Sequence, residues 1–114
     1  MADNIFTKII AKQIPAKIVY EDDRTLAFRD IQPAAPVHVL IVPKREIANV
    51  TAARAEDESL LGHLLTVAAE VARSEKISET GYRLVINNGR NAGQAVPHLH
   101  VHLLGGRALG WPPG

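Results

Sequence analysis

The stretch Pro97-His98-Leu99-His100-Val101-His102-Leu103-Leu104-Gly105-Gly106 alternates histidine with aliphatic residues before it meets a pair of glycines. A period of two is the mark of a half-buried β-strand, because successive side chains point to opposite faces. The pattern predicts a strand over about 96–104, with Leu99, Val101 and Leu103 turned into a core. His98, His100 and His102 then share the other face.

Working outward, a glycine-containing loop over 88–94 precedes this strand, and residues 82–87 read as another strand. Between about 56 and 75, Leu60, Leu61, Leu64, Leu65, Ala68, Val71 and Ala72 recur at helical spacing. They predict the longest helix of the chain, with one apolar face. Val37-His38-Val39-Leu40-Ile41-Val42 reads as a buried strand closed by Pro43. The stiff segment Pro33-Ala34-Ala35-Pro36 leads into it, since proline fixes its own φ and restricts its predecessor. Residues 17–21 and 25–29 flank Asp22-Asp23 as a β-hairpin. Asp3 or Asn4 can cap a short helix reaching about Lys12 and ended near Pro15. The Gly110-Trp111-Pro112-Pro113-Gly114 segment cannot be helical. Segregated strands with one main helix predict an α+β fold around an antiparallel sheet.

The 114 residues are expected to form one domain, 1–114, with a real core. Hydrophobic residues make up 46% and charged residues 22%, and the formal net charge is +1. With no long basic run, an electrostatically driven nucleic-acid or membrane binder is not expected. The absence of cysteine excludes disulfides, thiolate catalysis and cysteine-ligated zinc. Residues 1–8 lack a basic stretch followed by an apolar one, and no run approaches the roughly 20 apolar residues of a membrane span. A soluble cytoplasmic protein is the expectation.

Three histidines on one strand face invite a metal reading. Neighbours at i and i+2 stand roughly 6.6 Å apart and His98 and His102 roughly 13 Å apart. Zinc needs nitrogens at about 2.0–2.1 Å in near-tetrahedral array. Two adjacent histidines with a third ligand from elsewhere can meet that, whereas three in a row on a regular strand cannot do so comfortably. The residues alone therefore admit a metal site, a structural cluster or metal-free catalysis. His100 stands out because it has a histidine on each side, so a phosphorus before it would find flanking donors. A neutral imidazole near pH 7 offers a nucleophilic nitrogen. His38 is placed to join the cluster, and taken alone it reads equally as a hydrogen-bonded core residue. His63, on the long helix, reads as a plain surface or boundary residue.

The His-φ-His-φ-His-φ-φ pattern resembles the signature of the histidine-triad (HIT) superfamily. The Hint branch is resembled throughout the chain: in Ile5-Phe6-Thr7-Lys8-Ile9-Ile10, Ile14-Pro15-Ala16, Asp30-Ile31, Pro36-Val37-His38, Val42-Pro43-Lys44, Gly105-Gly106-Arg107 and Trp111-Pro112-Pro113-Gly114. The resemblance implies the HIT fold, an antiparallel sheet of about five strands with one long helix and a short N-terminal helix. It implies a homodimer that binds purine nucleotides of the AMP or GMP type. It further implies hydrolysis of the P–N bond of purine nucleoside 5′-phosphoramidates, such as adenylated amines, with no metal and no cofactor.

By the same resemblance His100 is the nucleophile that carries the nucleotidyl group. His98 orients it through its backbone carbonyl, His102 contacts the phosphate and the departing group, and His38 supports the cluster. Asp30 corresponds to the acid that takes the ribose hydroxyls. Phe6, Ile9, Phe28, Ile31 and Leu40 correspond to the base pocket. Asn87, Gly93, Gln94, Ala95 and Val96 correspond to the phosphate-side loop, and Trp111 is expected at the subunit interface. Two positions depart from the branch: Ala95 stands where a serine is common, and Pro97 where an aromatic is common. Competing readings are a nucleotide-binding scaffold with vestigial turnover and a dinucleoside-polyphosphate hydrolase of the sister branch.

Overall fold

The computed structural model describes residues 4–114. Asn4 opens helix α1 (Ile5–Ile10): its side chain accepts from the amides of Phe6 and Thr7, and Thr7 reaches back to the Asn4 amide. That reciprocal box satisfies donors that every helix start leaves open. Asp3, the alternative cap, lies outside the described residues. The helix stops at Ile10 rather than Lys12, where the backbone turns to φ +62°.

A hairpin of β1 (Ile18–Glu21) and β2 (Thr25–Arg29) follows, then β3 (Val37–Pro43), the long helix α2 (Glu58–Ser74), β4 (Tyr82–Val85) and β5 (Val101–Gly105). The five strands form one sheet in the order β1-β2-β3-β5-β4, with every neighbouring pair antiparallel. The expected α+β architecture, with one long helix and a short N-terminal one, is the architecture observed. No helix among the described residues is long and apolar enough to cross a membrane.

Alternation divides the sheet into two faces. Ala27, Val39, Ile41, Val101 and Leu103 pack under α2, against Leu60, Leu64, Val67, Ala68, Val71 and Ala72. Leu26, Phe28, Leu40 and Val42 face the other way, and Phe6 and Ile9 of α1 close over them. With both faces of β3 covered, its sequence reads as a continuous apolar run rather than an alternation. The buried stripe of α2 includes Val67, whereas Leu65 is 46% exposed, so the apolar face lies slightly around the helix from where the leucine pattern put it.

Three boundaries differ from expectation. A single 3-10 turn (Ala55–Asp57) precedes α2 where helix was expected from residue 56. Strand β4 ends at Val85 rather than at 87. Strand β5 begins at Val101 rather than near 96, so His98 and His100 lie before it. The cause is on the neighbouring strand. Continuing the Ile41↔Val101 register would bring Leu99 opposite Pro43, which has no amide hydrogen to give. The Leu99 amide donates instead to the Ile47 carbonyl at 2.7 Å, and the His98 amide to the Val96 carbonyl at 2.8 Å.

His63 does more than sit at a boundary. Its Nε2 lies 2.7 Å from Asp22 Oδ2, which also accepts from the Tyr20 hydroxyl at 2.9 Å, so it ties α2 to the β1–β2 turn. Arg29 and Glu75 form a second tie between the sheet and α2, through two hydrogen bonds of 2.7 and 2.9 Å.

Candidate active site

The face of the sheet away from α2 carries a cleft of about 330 Å³, in the range of small-molecule sites. Phe6, Ile9, Phe28 and Leu40 wall its apolar part. Asp30 stands at its rim, and His100, His102, Ala95 and Val96 close its other end. Ile31 lines the cleft as a lip, 87% exposed. Ile5, Ile14, Pro15, Ala16, Arg29 and Gln32 also contribute to the lining. The sequence reading gave none of them a site role. Pro15 reads locally as a helix stop, and the turn it makes brings Ile14 and Ala16 back across from Phe28.

The imidazoles are joined by bonds whose direction can be deduced. His100 Nδ1 lies 2.7 Å from the His98 carbonyl, which only accepts, so Nδ1 carries the hydrogen and Nε2 keeps its lone pair. The His98 ring turns away and donates from Nε2 to the Pro43 carbonyl at 2.9 Å. The edge of Phe6 packs on both rings, with its centroid 5.0 Å from that of His100 and 6.2 Å from that of His98.

In the second pair the order starts from the backbone. The Ala34 amide donates to His38 Nδ1 at 3.0 Å, so the neutral His38 ring carries its hydrogen on Nε2. That Nε2 lies 2.9 Å from His102 Nδ1, which therefore accepts. The remaining His102 hydrogen is on Nε2, a buried atom with no hydrogen-bond partner. A hydrogen-bond donor is thus held unspent beside the His100 lone pair, the two rings being 4.9 Å apart.

Burial lowers the pKa of His38, His100 and His102, because a cluster taken out of water cannot solvate added charge. The shift brings His102 to about 4, with the neighbouring His100 and His38 lowering it further and Asp30 opposing. Asp30 Oδ1 accepts from the Gln32 amide at 2.8 Å, while Oδ2 stands 3.4 Å from His38 Nε2.

The loop before the triad behaves differently from expectation. Gln94 does not line the cleft: its Oε1 accepts from the Gly89 amide at 2.8 Å, and its Nε2 donates to the carbonyls of Ala48 (2.8 Å) and Val96 (3.0 Å). The amides of Gly93 and Gln94 are also spent within the loop, on the carbonyls of Arg90 and Gly89. Gly93 serves the turn, at φ +80°. Asn87 sits after β4 and is likewise not among the cleft-lining residues. The amides of Ala95 and Val96, which do line it, have no hydrogen-bond partner among the described residues.

This arrangement has close counterparts. The HIT domain family matches residues 11–109 of the sequence. The chain belongs to the HIT family. A HIT-like protein of Synechococcus elongatus is 60% identical over 112 residues, which cover 98% of this chain and 97% of that protein. The crystal structure of a HIT family hydrolase from Legionella pneumophila superposes with a TM-score of 0.96 at 49% identity, covering 98% of this chain and all of that one. A histidine triad nucleotide-binding protein from Candida albicans gives a TM-score of 0.81 at 37% identity, covering 95% of this chain and 82% of that one.

Among the described residues, the group whose atoms come near enough to share a metal ion is Asp30, His38 and His102, not the three triad histidines. The donor set does not suit an ion. His38 Nε2 carries the ring hydrogen for as long as the Ala34 amide occupies Nδ1, so it has no lone pair to offer. Binding a metal there would leave a ring N–H pointing at a backbone N–H.

The lowered histidine pKa values set a stability profile. Between about pH 6.5 and 4 the unfolded chain protonates His102 while the folded chain does not. Unfolding is therefore favoured as pH falls through that window, by on the order of 3 kcal/mol from His102. His38 and His100 act in the same direction. Asp22, held well below the ordinary carboxylate value, loses its contribution only at more acidic pH. Urea unfolding at about pH 7 and about pH 4.5 checks this. A marked loss at the lower pH, reduced in His102→Asn, is expected, and equal stability at the two values would contradict the assignment.

Proposed function

We propose that this protein is a hydrolase of purine nucleoside 5′-phosphoramidates, of the Hint branch of the HIT family, and that it works through a covalent nucleotidyl-His100. The observation that carries this reading is the pairing of a lone pair at His100 Nε2 with unspent donors at one end of an apolar cleft. The hydrolase description of the Legionella protein and the nucleotide-binding description of the Candida protein support it.

In this reading residues 1–114 act as a single HIT domain. Phe6, Ile9, Phe28, Ile31 and Leu40 hold the base, and Asp30 Oδ2 accepts from the ribose hydroxyls. The amides of Ala95 and Val96, with Asn87 at the outer side, face the phosphate, where fixed donors stabilise developing charge. His100 Nε2 forms a bond to phosphorus while the P–N bond breaks with its electron pair on nitrogen. The nitrogen takes a proton along the His102 Nε2 hydrogen bond and leaves as the amine. Water then adds to phosphorus, the bond to Nε2 breaks with its pair returning to His100, and the water's proton restores His102. Nucleoside monophosphate departs. No step requires a metal or a cofactor.

Replacing His100 with Asn is expected to abolish turnover of an adenosine phosphoramidate and to leave AMP affinity nearly unchanged, since base and ribose contacts lie elsewhere. Exhaustive chelation of the parent is expected to change neither. A variant within about tenfold of the parent rate, or loss on chelation restored by zinc, would defeat the reading.

Ala95 offers no hydroxyl to the leaving nitrogen, so Ala95→Ser is expected to speed turnover by about tenfold or less, because a hydroxyl of high pKa relays rather than drives proton transfer. The gain should be larger for alkylamine than for arylamine leaving groups in single-turnover measurements. Equal rates would mean that this position does not face the departing group.

The protein is also proposed to act as a homodimer in the cytoplasm. Strand β4 is an edge strand, and Trp111, 80% exposed, stands beside it under the Arg83 guanidinium, 5.8 Å from the ring centroid. Sedimentation at micromolar concentration is expected to give a dimer mass, and a monomer mass would overturn this part.

A further inference from the structure

Gly105, Gly106 and Arg107 follow the triad after Leu103 and Leu104, and none of them lines the cleft. Each has a local reason to be what it is. A Cβ on Gly105 would stand 2.6 Å from Ile77 Cδ1. Gly106 takes φ +89°, and a Cβ there would stand 2.9 Å from Pro36 Cβ, so the chain runs close against the proline connection. From that position Arg107 turns its guanidinium onto the same connection, donating to the Ala34 carbonyl at 2.9 Å and to the Ala108 carbonyl at 3.0 Å.

Ala34 is the residue whose amide donates to His38 Nδ1. An amide hydrogen cannot accept, so its direction decides which nitrogen of His38 carries the ring hydrogen, and through the 2.9 Å contact which nitrogen of His102 does. The orientation of the Ala34 amide therefore matters more than one hydrogen bond of ordinary strength. Gly106, whose missing Cβ leaves room for Pro36, and Arg107 on the Ala34 carbonyl bracket the Ala34 backbone that carries this amide.

We propose that Arg107 is a positioning residue: by holding the carbonyl of the Ala34–Ala35 peptide it fixes the backbone of Ala34, keeps the preceding Pro33–Ala34 amide on His38 Nδ1, and so keeps the ring hydrogens of His38 and His102 on their Nε2 atoms, with that of His102 aimed at the leaving group. The catalytic consequence rests on the phosphoramidase reading, whereas the hydrogen arrangement does not. The groups facing His38 are Asp30 Oδ2 at 3.4 Å from the end of β2 and His102 across β5, with His100 packed on His102. None of these is an obligate donor that would fix His38 Nδ1 in place of the Ala34 amide.

The test compares the parent with Arg107→Met, which keeps an unbranched stem without donors, and Arg107→Lys, which restores one donor group. Imidazole ¹⁵N shifts read which nitrogen carries hydrogen in His38 and His102 near neutral pH. The parent is expected to show Nε2–H at both and Arg107→Met a mixture, with Arg107→Lys between them. For Arg107→Met, kcat on an adenosine phosphoramidate is expected to fall about three- to tenfold with KM and AMP affinity held within about twofold. Its acid limb should move to higher pH by up to about one unit, because a loosened amide no longer opposes protonation at His38 Nδ1. A purely structural role would move stability and leave the ring hydrogens and the pH profile alone. Ala34→Pro deletes the amide hydrogen itself and is expected to scramble the same two rings. Parental ¹⁵N shifts in either Arg107→Met or Ala34→Pro would overturn the proposal. A parent without phosphoramidase turnover would defeat the functional reading alone, since the ¹⁵N comparison still decides the positioning role.

Discussion

In the middle of the sheet β3 runs antiparallel to β5, with His38 opposite Leu104 and Leu40 opposite His102. This register brings two histidines from distant parts of the sequence onto one face and sets them diagonally, at the distance where ring nitrogens meet. It also puts Leu40, the floor of the cleft, beside the ring that closes its end. A slip of β5 by one residue would turn His102 toward α2, expose Val101 and Leu103 in its place, and break its pairing with His38. The apolar packing under α2 therefore specifies the histidine geometry, because the same alternation that buries Val101 and Leu103 turns His102 the other way. Stability on one face and chemistry on the other come from a single choice of register.

The His38, His100 and His102 rings are neutral at rest, which follows from where they sit. Burial keeps His38, His100 and His102 from taking up a second hydrogen, so each ring has one donor and one acceptor nitrogen. Acceptor-only carbonyls and a donor-only amide then determine which is which. At the cleft end two ring positions have no partner among the described residues: the lone pair on His100 Nε2 and the buried N–H on His102. Leaving buried polar groups unsatisfied costs about 1–3 kcal/mol each, so a fold tolerates few of them. Both lie where a ligand in the cleft would satisfy them. On the proposed reading, adding fixed positive charge would raise the affinity for the substrate's phosphate but would lower the nucleophilicity of a ring beside it. Neutral donors avoid that conflict.

Much of the fold was legible in the sequence because its signals are long and periodic. The run at 37–43 and the helical spacing through α2 survive with only their ends adjusted. The swap of Leu65 for Val67 on the buried stripe shows the limit of periodicity: leucines at several phases of the helix compete, and only the facing sheet decides between them. The shared face of the histidines was legible in the alternation, while the His98 carbonyl contact with His100 was expected only from the family resemblance. Other features depend on contacts that no local pattern reports. The amide of Gln94 reaches Ala48, 46 residues away, so its use as a loop clamp is invisible in the sequence. His63 was read as plain because its partner Asp22 is 41 residues distant. Ile14 and Ala16 are ordinary apolar residues until the turn at Pro15 folds them over the cleft.

The most informative departure from expectation is the late start of β5. Had residues 96–104 formed a regular strand, the His98 carbonyl would have pointed in the plane of the sheet toward a neighbouring strand. His100 would then have lost the acceptor that holds the hydrogen on its Nδ1, and either ring nitrogen could have presented the lone pair. The pairing ends early because Pro43 has no amide to offer, and the bent backbone that results gives the His98 carbonyl to the ring two residues on. The ring of His98 takes the Pro43 carbonyl in exchange, so the residue that interrupts the ladder also anchors the bend. A proline 57 residues before His100 in the sequence thus decides which ring nitrogen of His100 keeps its lone pair. An alternating His-φ-His pattern that folded as a perfect strand would place the same three side chains on one face and leave the central one without a defined hydrogen.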